Sequence, residues 1–433
     1  MITTETAFCP PPAPQSVEDT GLSADLILQI VTKTLHLAGE LSGTELSERL
    51  GVSFQIIEPA LALLKREHHC EISGGSVLGG SSFRYRLTDT GRVRAALFLE
   101  HDHYIGALPV PLEQYTPYIK QFANEELHLN RELVRHAFSH LVINPRVLDQ
   151  LGPAIAARHS LFVYGPPGNG KTVISQAIRE VLRGDMAVPH ALSIDGHIIR
   201  VFDPVNHERI EGVEDSSGLT RTNPYDGRWV QCRRPLITAG GELTLDALEL
   251  GFSTSSGLYR APLQVVANGG VLVIDDFGRQ QVAPRVMLSR WIVPLESRVD
   301  YLTLRTGQKF EIPFQTFVVF ATNLKPSDLV DEAFLRRIQY KVLAESPTVD
   351  EFTQIFENYC RQKRLMFDPA FAAYVIDNIR HRGVHLRACH PRDLVEHALS
   401  IGAYLDMPRG LTIDLLAEAC ATYFVEDRDL ATA

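Results

Sequence analysis

The sequence has 433 residues and lacks the features that mark several special classes of protein. No apolar run approaches the roughly 18 residues that a membrane-spanning helix needs, so membrane insertion is not predicted. The first residues do not combine a basic segment with an apolar one, so they do not predict a secretory signal. The 6 cysteines are scattered and include no C-x-x-C pair, which argues against a disulfide framework and a zinc site. We therefore expect a reduced, cytoplasmic protein.

The chain also has no excess of positive charge, because 42 Lys and Arg residues stand against 52 Asp and Glu, a formal net charge of -10. Proteins that coat nucleic acid through bulk charge need clustered Lys and Arg against the phosphates, so this class is disfavoured. A local basic patch is still compatible with the composition. With 45% hydrophobic and 22% charged residues the chain is ordinary for a globular protein. Its length suggests two or three domains of roughly 150 residues each.

The first part of the chain contains a tail, a small domain and a linker. Residues 1–20 are rich in Pro, Thr and Ser without periodicity, and we expect a flexible tail. Residues 21–100 are predicted to form helices followed by two short strands around a glycine-rich turn. This order resembles a winged helix-turn-helix domain, mainly in the helix TELSERLGV and in Tyr85–Gly91. Because the charges of this domain are nearly balanced, both DNA binding and protein docking stay open for it. Residues 101–140 are predicted to be a linker.

A phosphate-binding loop follows the linker. An apolar strand, Leu161–Tyr164, leads into GPPGNGKT and then into the helical stretch VISQAIREVL. This is the complete G-x-x-x-x-G-K-[ST] motif in its strand–loop–helix context, where backbone N–H groups and the helix N-terminus bind phosphate oxygens. We expect Lys171 to reach the β- and γ-phosphates of ATP and the Thr172 hydroxyl to ligate Mg²⁺. The predicted nucleotide-binding residues are Gly165, Pro166, Pro167, Gly168, Asn169, Gly170, Lys171 and Thr172.

A second motif, GGVLVIDDF, spans Gly269–Phe277. Its apolar run predicts a buried parallel strand whose C-terminal end presents two carboxylates. We expect Asp275 to hold the Mg²⁺, and Asp276 to position and polarise the attacking water. An apolar run that ends in Asp-Asp is a weak signal alone, but after a phosphate loop it predicts an ATP-hydrolysing site.

With both motifs in place, the chain resembles the AAA+ ATPases over most of its length. The strand FVVFATN ends at Asn323, which matches the sensor 1 position and implies contact with the γ-phosphate or the water. The stretch EAFLRRI resembles the arginine-finger segment, so that Arg337 or Arg336 would reach the ATP of a neighbouring subunit. The start of PRDLVEHALSIGAYL resembles the sensor 2 position, which implies Arg392 or, as the alternative, Arg387.

The resemblance implies a fold class. It is α/β: an AAA+ P-loop NTPase core with a parallel sheet over residues 141–345, a C-terminal helical lid over 346–433 and the N-terminal winged helix-turn-helix domain. A β-hairpin predicted in DYLTLRTGQKFEIP is typical of the pre-sensor-1 hairpin clade, which includes MoxR-type chaperone ATPases and enhancer-binding proteins. The GAFTGA loop of those activators is absent from the sequence, which disfavours sigma-factor remodelling. Many AAA+ proteins have Asp-Glu where this chain has Asp-Asp, a departure that bears on the rate of hydrolysis more than on the activity.

The resemblance supports three functional hypotheses, with ATP and Mg²⁺ as the predicted ligands. The first is a motor that hydrolyses ATP as a homo-oligomeric ring, for which six subunits is the family expectation, and that remodels or assembles a protein partner. The second is a DNA-associated ATPase, such as an initiator, a transposition regulator or a helicase loader, in which residues 21–100 bind DNA. The third is a nucleotide-switched scaffold with little turnover.

Overall fold

A computed structural model of the chain describes residues 10–74, 80–124, 129–182, 184–210, 224–329 and 335–424. The chain forms two compact units, each assembled from separate stretches of sequence. Unit 1 is made of Met1–Glu126, Leu182–Leu272 and Gln281–Phe317, and unit 2 is made of Leu127–Val181, Val273–Gln280 and Val318–Ala433. The chain therefore leaves unit 1 and returns to it twice before it ends in unit 2.

Both units contain helices and strands. The helices are α1 Ala24–Ala38, α2 Gly43–Leu50, α3 Phe54–Arg66, α4 Asp89–His101, α5 Leu112–Asn124, α6 Arg131–Ala137, α7 Pro145–Ala156, α8 Lys171–Val181, α9 Leu263–Val266, α10 Pro284–Ser297, α11 Pro326–Leu329, α12 Val349–Gln362, α13 Pro369–His381, α14 His390–Tyr404 and α15 Ile413–Tyr423. The strands are β1 Glu40–Ser42, β2 Cys70–Gly74, β3 Arg84–Leu87, β4 Val110–Pro111, β5 Leu161–Tyr164, β6 Asp185–Pro189, β7 Ala191–Ile194, β8 His197–Arg200, β9 Trp229–Arg233, β10 Leu236–Ala239, β11 Gly251–Ser253, β12 Leu258–Arg260, β13 Val271–Ile274, β14 Val299–Thr303, β15 Lys309–Pro313, β16 Phe317–Thr322 and β17 Tyr340–Leu343.

The first part of unit 1 combines α1, α2 and α3 with an antiparallel sheet in the order β1-β3-β2. Side chains fix the helix starts: the Ser23 hydroxyl accepts a hydrogen bond from the Leu26 N–H, and Ser42 forms a reciprocal capping box with Glu45. The apolar faces of these helices share one buried core with β1 and β3. The sequence does not predict β1, because three residues are too few for an alternating pattern.

Residues 10–20, which we call the N-terminal strap, differ from the flexible tail that the composition predicts. Their backbone bonds to a distant stretch of unit 1. The Ala13 N–H donates to the Pro224 carbonyl at 3.1 Å, and the Asp226 N–H donates to the Pro11 carbonyl at 2.8 Å. Composition alone misses this segment because its partners lie more than 200 positions further along the chain.

Arg228 fixes the end of the N-terminal strap. Its side chain is only 2% exposed, and Nη1 donates to the Thr20 carbonyl at 2.9 Å. The guanidinium also pairs with the buried carboxylate of Asp226 at 2.7 Å. Because a buried charge needs a partner, this ion pair and its hydrogen bond make the strap part of the packed unit. Residues 1–9, the rest of the predicted tail, lie outside the described residues.

The remainder of unit 1 is built around a sheet in the order β11-β12-β8-β7-β4, accompanied by the pair β6-β9. The strands β14 and β15 form the predicted hairpin, with antiparallel register from Val299 opposite Pro313 to Thr303 opposite Lys309. The hairpin packs on the sheet through one core that includes Leu302, Phe310 and Ile312. The hairpin is therefore packed into the core of unit 1 and does not project from it.

Unit 2 carries the parallel sheet. Strands β16 and β17 both pair with β5 in parallel, and β13 is the neighbour of β16 on its other side. Strands β5, β13 and β16 are almost entirely buried, as expected for a parallel sheet covered on both faces, whereas only Val342 of the edge strand β17 is buried. The last helices, α12 to α15, have a core of their own. The structure thus confirms a mixed α/β fold with a parallel sheet, followed by a helical C-terminal region.

Within the described residues, every helix is too short or too polar to pass through a lipid bilayer.

Candidate active site

The phosphate-loop motif lies where the sequence predicts it, between the end of β5 and the start of α8 in unit 2. Three of its glycines have positive φ angles, 142° at Gly165, 81° at Gly168 and 74° at Gly170. A Cβ atom at Gly165 would lie 2.5 Å from the Ala344 carbonyl oxygen. Glycine adopts these angles without strain, and the close approach at Gly165 leaves no room for a side chain, so the loop backbone is free to turn its N–H groups inward.

Lys171 begins α8 and is 7% exposed. Its ammonium donates to the carbonyls of Gly165 and Pro166, at 3.1 and 3.0 Å, and to Oδ1 of Asn323 at 2.6 Å. Burial lowers the pKa of Lys171, and the negative charges of Asp275 and Asp276 oppose that effect. The result is a cation held by neutral oxygens beside two carboxylates, an arrangement that suits an incoming anionic phosphate.

Thr172 and Asp275 lie together at the carboxyl edge of the sheet. The Thr172 hydroxyl donates to Oδ2 of Asp275 at 2.7 Å, and β13 delivers the carboxylate to this point. A hydroxyl and a carboxylate are hard oxygen ligands of the kind that Mg²⁺ prefers, and Mg²⁺ commonly takes few protein ligands beside substrate phosphates. The donor set therefore fits the predicted metal.

Asp276 has a left-handed backbone, with φ of 49°, which is uncommon for a residue other than glycine. Its side chain accepts a hydrogen bond from Nδ2 of Asn323 at 3.0 Å. The following residue locks the turn, because the Phe277 N–H donates to the Ala321 carbonyl at 2.8 Å and the Thr322 hydroxyl donates to the Phe277 carbonyl at 2.7 Å. The structure thus brings Asp276 to Asn323, whose amide also accepts from the phosphate-loop lysine.

Gln280 is a supporting residue that sequence reasoning missed. It is buried, its Nε2 donates to the Asp275 carbonyl at 2.9 Å, and its Oε1 accepts from the Gly278 N–H at 2.8 Å. These bonds close the loop that carries Asp276. Nothing in the motif points to Gln280, since its role arises from the turn geometry rather than from a spacing.

The helical C-terminal region contacts the phosphate loop directly. The Cys389 N–H donates to the Gly168 carbonyl at 2.9 Å, and the Ala388 N–H donates to Oδ1 of Asn169 at 3.3 Å. On its other side, Nδ2 of Asn169 donates to the Ala344 carbonyl at 3.3 Å. A Cβ atom at Gly168 would lie 2.5 Å from the Cys389 sulfur, so the contact also depends on glycine. The sequence predicts Asn169 as a loop residue, but it does not predict the hydrogen bond from Ala388 of the helical C-terminal region to Asn169.

The structure places the predicted arginines in different settings. Arg392 is exposed, and its Nε donates to the carboxylate of the adjacent Asp393 at 2.8 Å. Arg387 lies next to the phosphate loop, with Cδ 3.5 Å from the position of a Cβ on Gly168. Arg336 is exposed and Arg337 is half-buried, in the turn before β17. The preceding part of the predicted arginine-finger segment, Glu332 to Phe334, lies outside the described residues.

Comparisons with known proteins give the following matches. Residues 348–422 match a family described as a domain of unknown function (DUF8689). The structure is similar to a RuvB mutant of Thermotoga maritima, with 15% identity, a TM-score of 0.40 and coverage of 66% of this chain and 71% of that chain. It is also similar to NtrX from Brucella abortus in complex with ATP, with 13% identity, a TM-score of 0.41 and coverage of 66% and 57%. No curated protein matches the chain in sequence. At these identities and TM-scores no family is assigned, so the function is inferred from the site residues themselves.

Proposed function

We propose that this chain is an AAA+ ATPase that binds and hydrolyses Mg²⁺-ATP in an oligomeric ring and uses the energy to remodel or assemble a protein partner. The observation that carries the proposal is one hydrogen-bonded set of site residues in unit 2. Lys171 and Asp276 both bond to Asn323, and Thr172 bonds to Asp275. These are a phosphate-binding cation, a pair of acids and a polar sensor, which together are the requirements of phosphoryl transfer to water.

Each residue has a role that follows from its chemistry. The Lys171 ammonium neutralises phosphate charge, and the loop N–H groups orient the phosphates. Thr172 and Asp275 supply oxygen ligands to Mg²⁺, which, when bound, stabilises the charge that develops on the phosphates. Asp276 accepts a hydrogen bond from the attacking water and orients it, and the Asn323 amide fixes the position of Asp276.

Two arginines complete the proposed site. Arg387 is our candidate for the arginine that senses the phosphates within the same subunit, because it lies beside Gly168 whereas Arg392 pairs with Asp393. Arg337, with Arg336 as the alternative, is our candidate for the arginine finger that reaches the ATP of a neighbouring subunit. A shared site of this kind is the reason for proposing a ring.

The charges of residues 21–100 support protein docking rather than DNA binding. Arginines on the sheet and on α4 are each paired with a carboxylate of the same unit: Arg84 with Glu40, Arg86 with Glu71, Arg92 with Asp89 and Arg94 with Glu67. DNA binding needs cations that are available to phosphates. Lys65 and Arg66 at the end of α3 are exposed, and the duplex-binding test described below addresses these two residues.

Replacement of Asp276 tests the hydrolytic role. Asp276→Asn keeps the size of the side chain and removes its capacity to act as a base, so phosphate release is expected to fall about a hundredfold or more. Binding of a fluorescent ATP analogue should persist. Asp377→Asn, at an exposed site on α13, is the matched control. Unchanged turnover in Asp276→Asn would contradict the assignment, and absent turnover in the unaltered protein would favour the scaffold hypothesis.

Mixed subunits test the shared site. Lys171→Ala and Arg337→Ala variants, each inactive alone, should regain part of the turnover when mixed, since some interfaces would combine an intact lysine with an intact arginine. Replacing Arg337→Ala by Arg336→Ala in this mixture shows which of the two arginines acts between subunits. Mixed assemblies that form without any recovery would contradict a finger acting between subunits.

Duplex binding by the full chain tests the role of residues 21–100. Fluorescence anisotropy with a labelled duplex at low salt should show no binding that depends on Lys65 and Arg66. Salt-dependent binding that is lost in the Lys65→Glu, Arg66→Glu double variant would instead support the DNA-associated ATPase.

A further inference from the structure

Helix α4 has an exposed apolar stripe. Gly91 and Ala95 are buried in unit 1, whereas Val93 is 65% exposed and Leu97 is 59% exposed. Ala96 is also exposed and lies between them on the helix surface. Side chains three and four positions apart share one helical face, so these three residues form a continuous stripe on the side of α4 opposite its packed face.

Side chains of opposite charge stand at the two ends of this stripe. Arg92 precedes it and Glu100 follows it, and both are exposed. They are eight positions apart, which is roughly 12 Å along a helix. Arg92 bonds to exposed Asp89 within the helix. The guanidinium has five N–H donors, so it can bond to a second carboxylate while it keeps Asp89.

This pattern is complementary to itself when it is turned through a two-fold axis. An antiparallel pair of α4 helices, centred on Ala96, places Arg92 of each copy opposite Glu100 of the other. The apolar stripes then cover each other, and the small Ala96 side chains allow the two backbones to approach closely. Isologous contacts require this kind of self-complementarity.

We propose that α4 is a contact between two copies of this chain, paired antiparallel through Val93, Ala96 and Leu97 and joined at both ends by Arg92 and Glu100. One short helix covers far less than the roughly 800 Å² per partner of a standard interface. Self-association through α4 therefore depends on protein concentration. It needs no nucleotide and does not rest on the proposed ATPase.

Charge reversal tests the pairing directly. Sedimentation velocity is measured without nucleotide over a wide range of protein concentration. Arg92→Glu alone, or Glu100→Arg alone, places like charges opposite each other and is expected to weaken self-association about tenfold. The double variant restores the opposite charges and is expected to self-associate as the unaltered chain does. Failure of the double variant to recover would overturn the antiparallel register.

Two further variants separate α4 from other surfaces. Leu97→Asp is expected to abolish the self-association, whereas Leu37→Asp, on α1 and similarly exposed at 62%, is expected to leave it unchanged. Ala96→Cys should give a disulfide-linked dimer under mild oxidation, because the two-fold axis brings residue 96 next to itself. Self-association that survives Leu97→Asp, or a monomer at every concentration, would overturn the proposal and leave α4 to a different protein.

Discussion

Polar groups are used differently at the phosphate loop and on the small β1-β3-β2 sheet of unit 1. At the phosphate loop, Lys171 and Asp276 both bond to Asn323 at the edge of a buried sheet. On the small sheet of unit 1, Arg84 and Arg86 each bond to a carboxylate on a neighbouring strand. The first set gathers donors and acceptors at one point, whereas the second is spread over the surface in separate pairs.

This difference shows what a set of charges can bind. Groups that converge in a partly buried place act together on one ligand, and low solvent exposure strengthens each interaction. Exposed pairs satisfy each other and leave little charge for a third molecule. The comparison supports the proposed ligand chemistry of unit 2 and the proposed docking role of the small sheet, and each of the following predictions could contradict it.

The largest effect is expected at Lys171. Lys171→Ala removes the cation that faces the phosphates and leaves Asp275 and Asp276 without its charge, so ATP turnover should fall about a thousandfold. Phosphate release is the measurement, and Lys309→Ala, at an exposed position, is the control. A loss of less than tenfold would mean that the converging set is not a catalytic site.

Replacement of Arg228 tests a buried ion pair, Arg228 with Asp226, to which no ligand role is given. Arg228→Ala leaves the Asp226 carboxylate buried without its partner, which should destabilise unit 1 by about 3–5 kcal/mol. Both tryptophans, Trp229 and Trp291, belong to unit 1, so urea unfolding followed by tryptophan fluorescence reports on it alone. Arg233→Ala, which breaks an exposed pair with Glu208, should cost less than about 1 kcal/mol. Equal losses of stability in the two variants would contradict the distinction between buried and exposed ion pairs.

His390 gives unit 2 a dependence on pH. Burial lowers its pKa from 6.5 to about 4, so the folded ring stays neutral while the unfolded chain takes up a proton below pH 6.5. Its contribution is fully present above pH 6.5 and declines as the pH falls towards 4, by on the order of 3 kcal/mol. His390→Phe should remove this part of the decline, measured by far-ultraviolet circular dichroism in urea at several pH values. His381→Phe, at an exposed site, should follow the unaltered chain.

The smallest effect is expected at Arg86. Its pair with Glu71 is exposed, so Arg86→Ala should change the stability of unit 1 by less than about 1 kcal/mol and leave ATP turnover unchanged. Tryptophan fluorescence in urea and phosphate release are the measurements. A marked loss of turnover would show that the small sheet takes part in the chemistry.

Sequence patterns predict this molecule well where a local rule governs the geometry. The phosphate loop follows from glycine spacing, and the gathering of Asp275 and Asn323 beside it follows from parallel strands that end at one edge. The β14–β15 hairpin follows from alternation around a glycine turn. In these cases the residues that determine the structure are neighbours in sequence.

Tertiary contacts cannot be predicted in that way. The bridge from Asn169 to Ala388 joins positions 219 apart, and the choice between Arg387 and Arg392 depends on how the loop before α14 turns. Gln280 acts through two backbone groups that no motif specifies. The prediction of a flexible tail does not hold for residues 10–20, because the residues that bind this segment lie more than 200 positions further along the chain.

The N-terminal strap also has a consequence for biosynthesis. The N-terminal strap is completed only when Arg228 has been made, because the Thr20 carbonyl and the Pro11 carbonyl bond to the stretch from Asp226 to Arg228. Closing so long a loop is slow compared with forming local helices. Helices α1 to α3 are therefore synthesised well before the N-terminal strap can make these contacts.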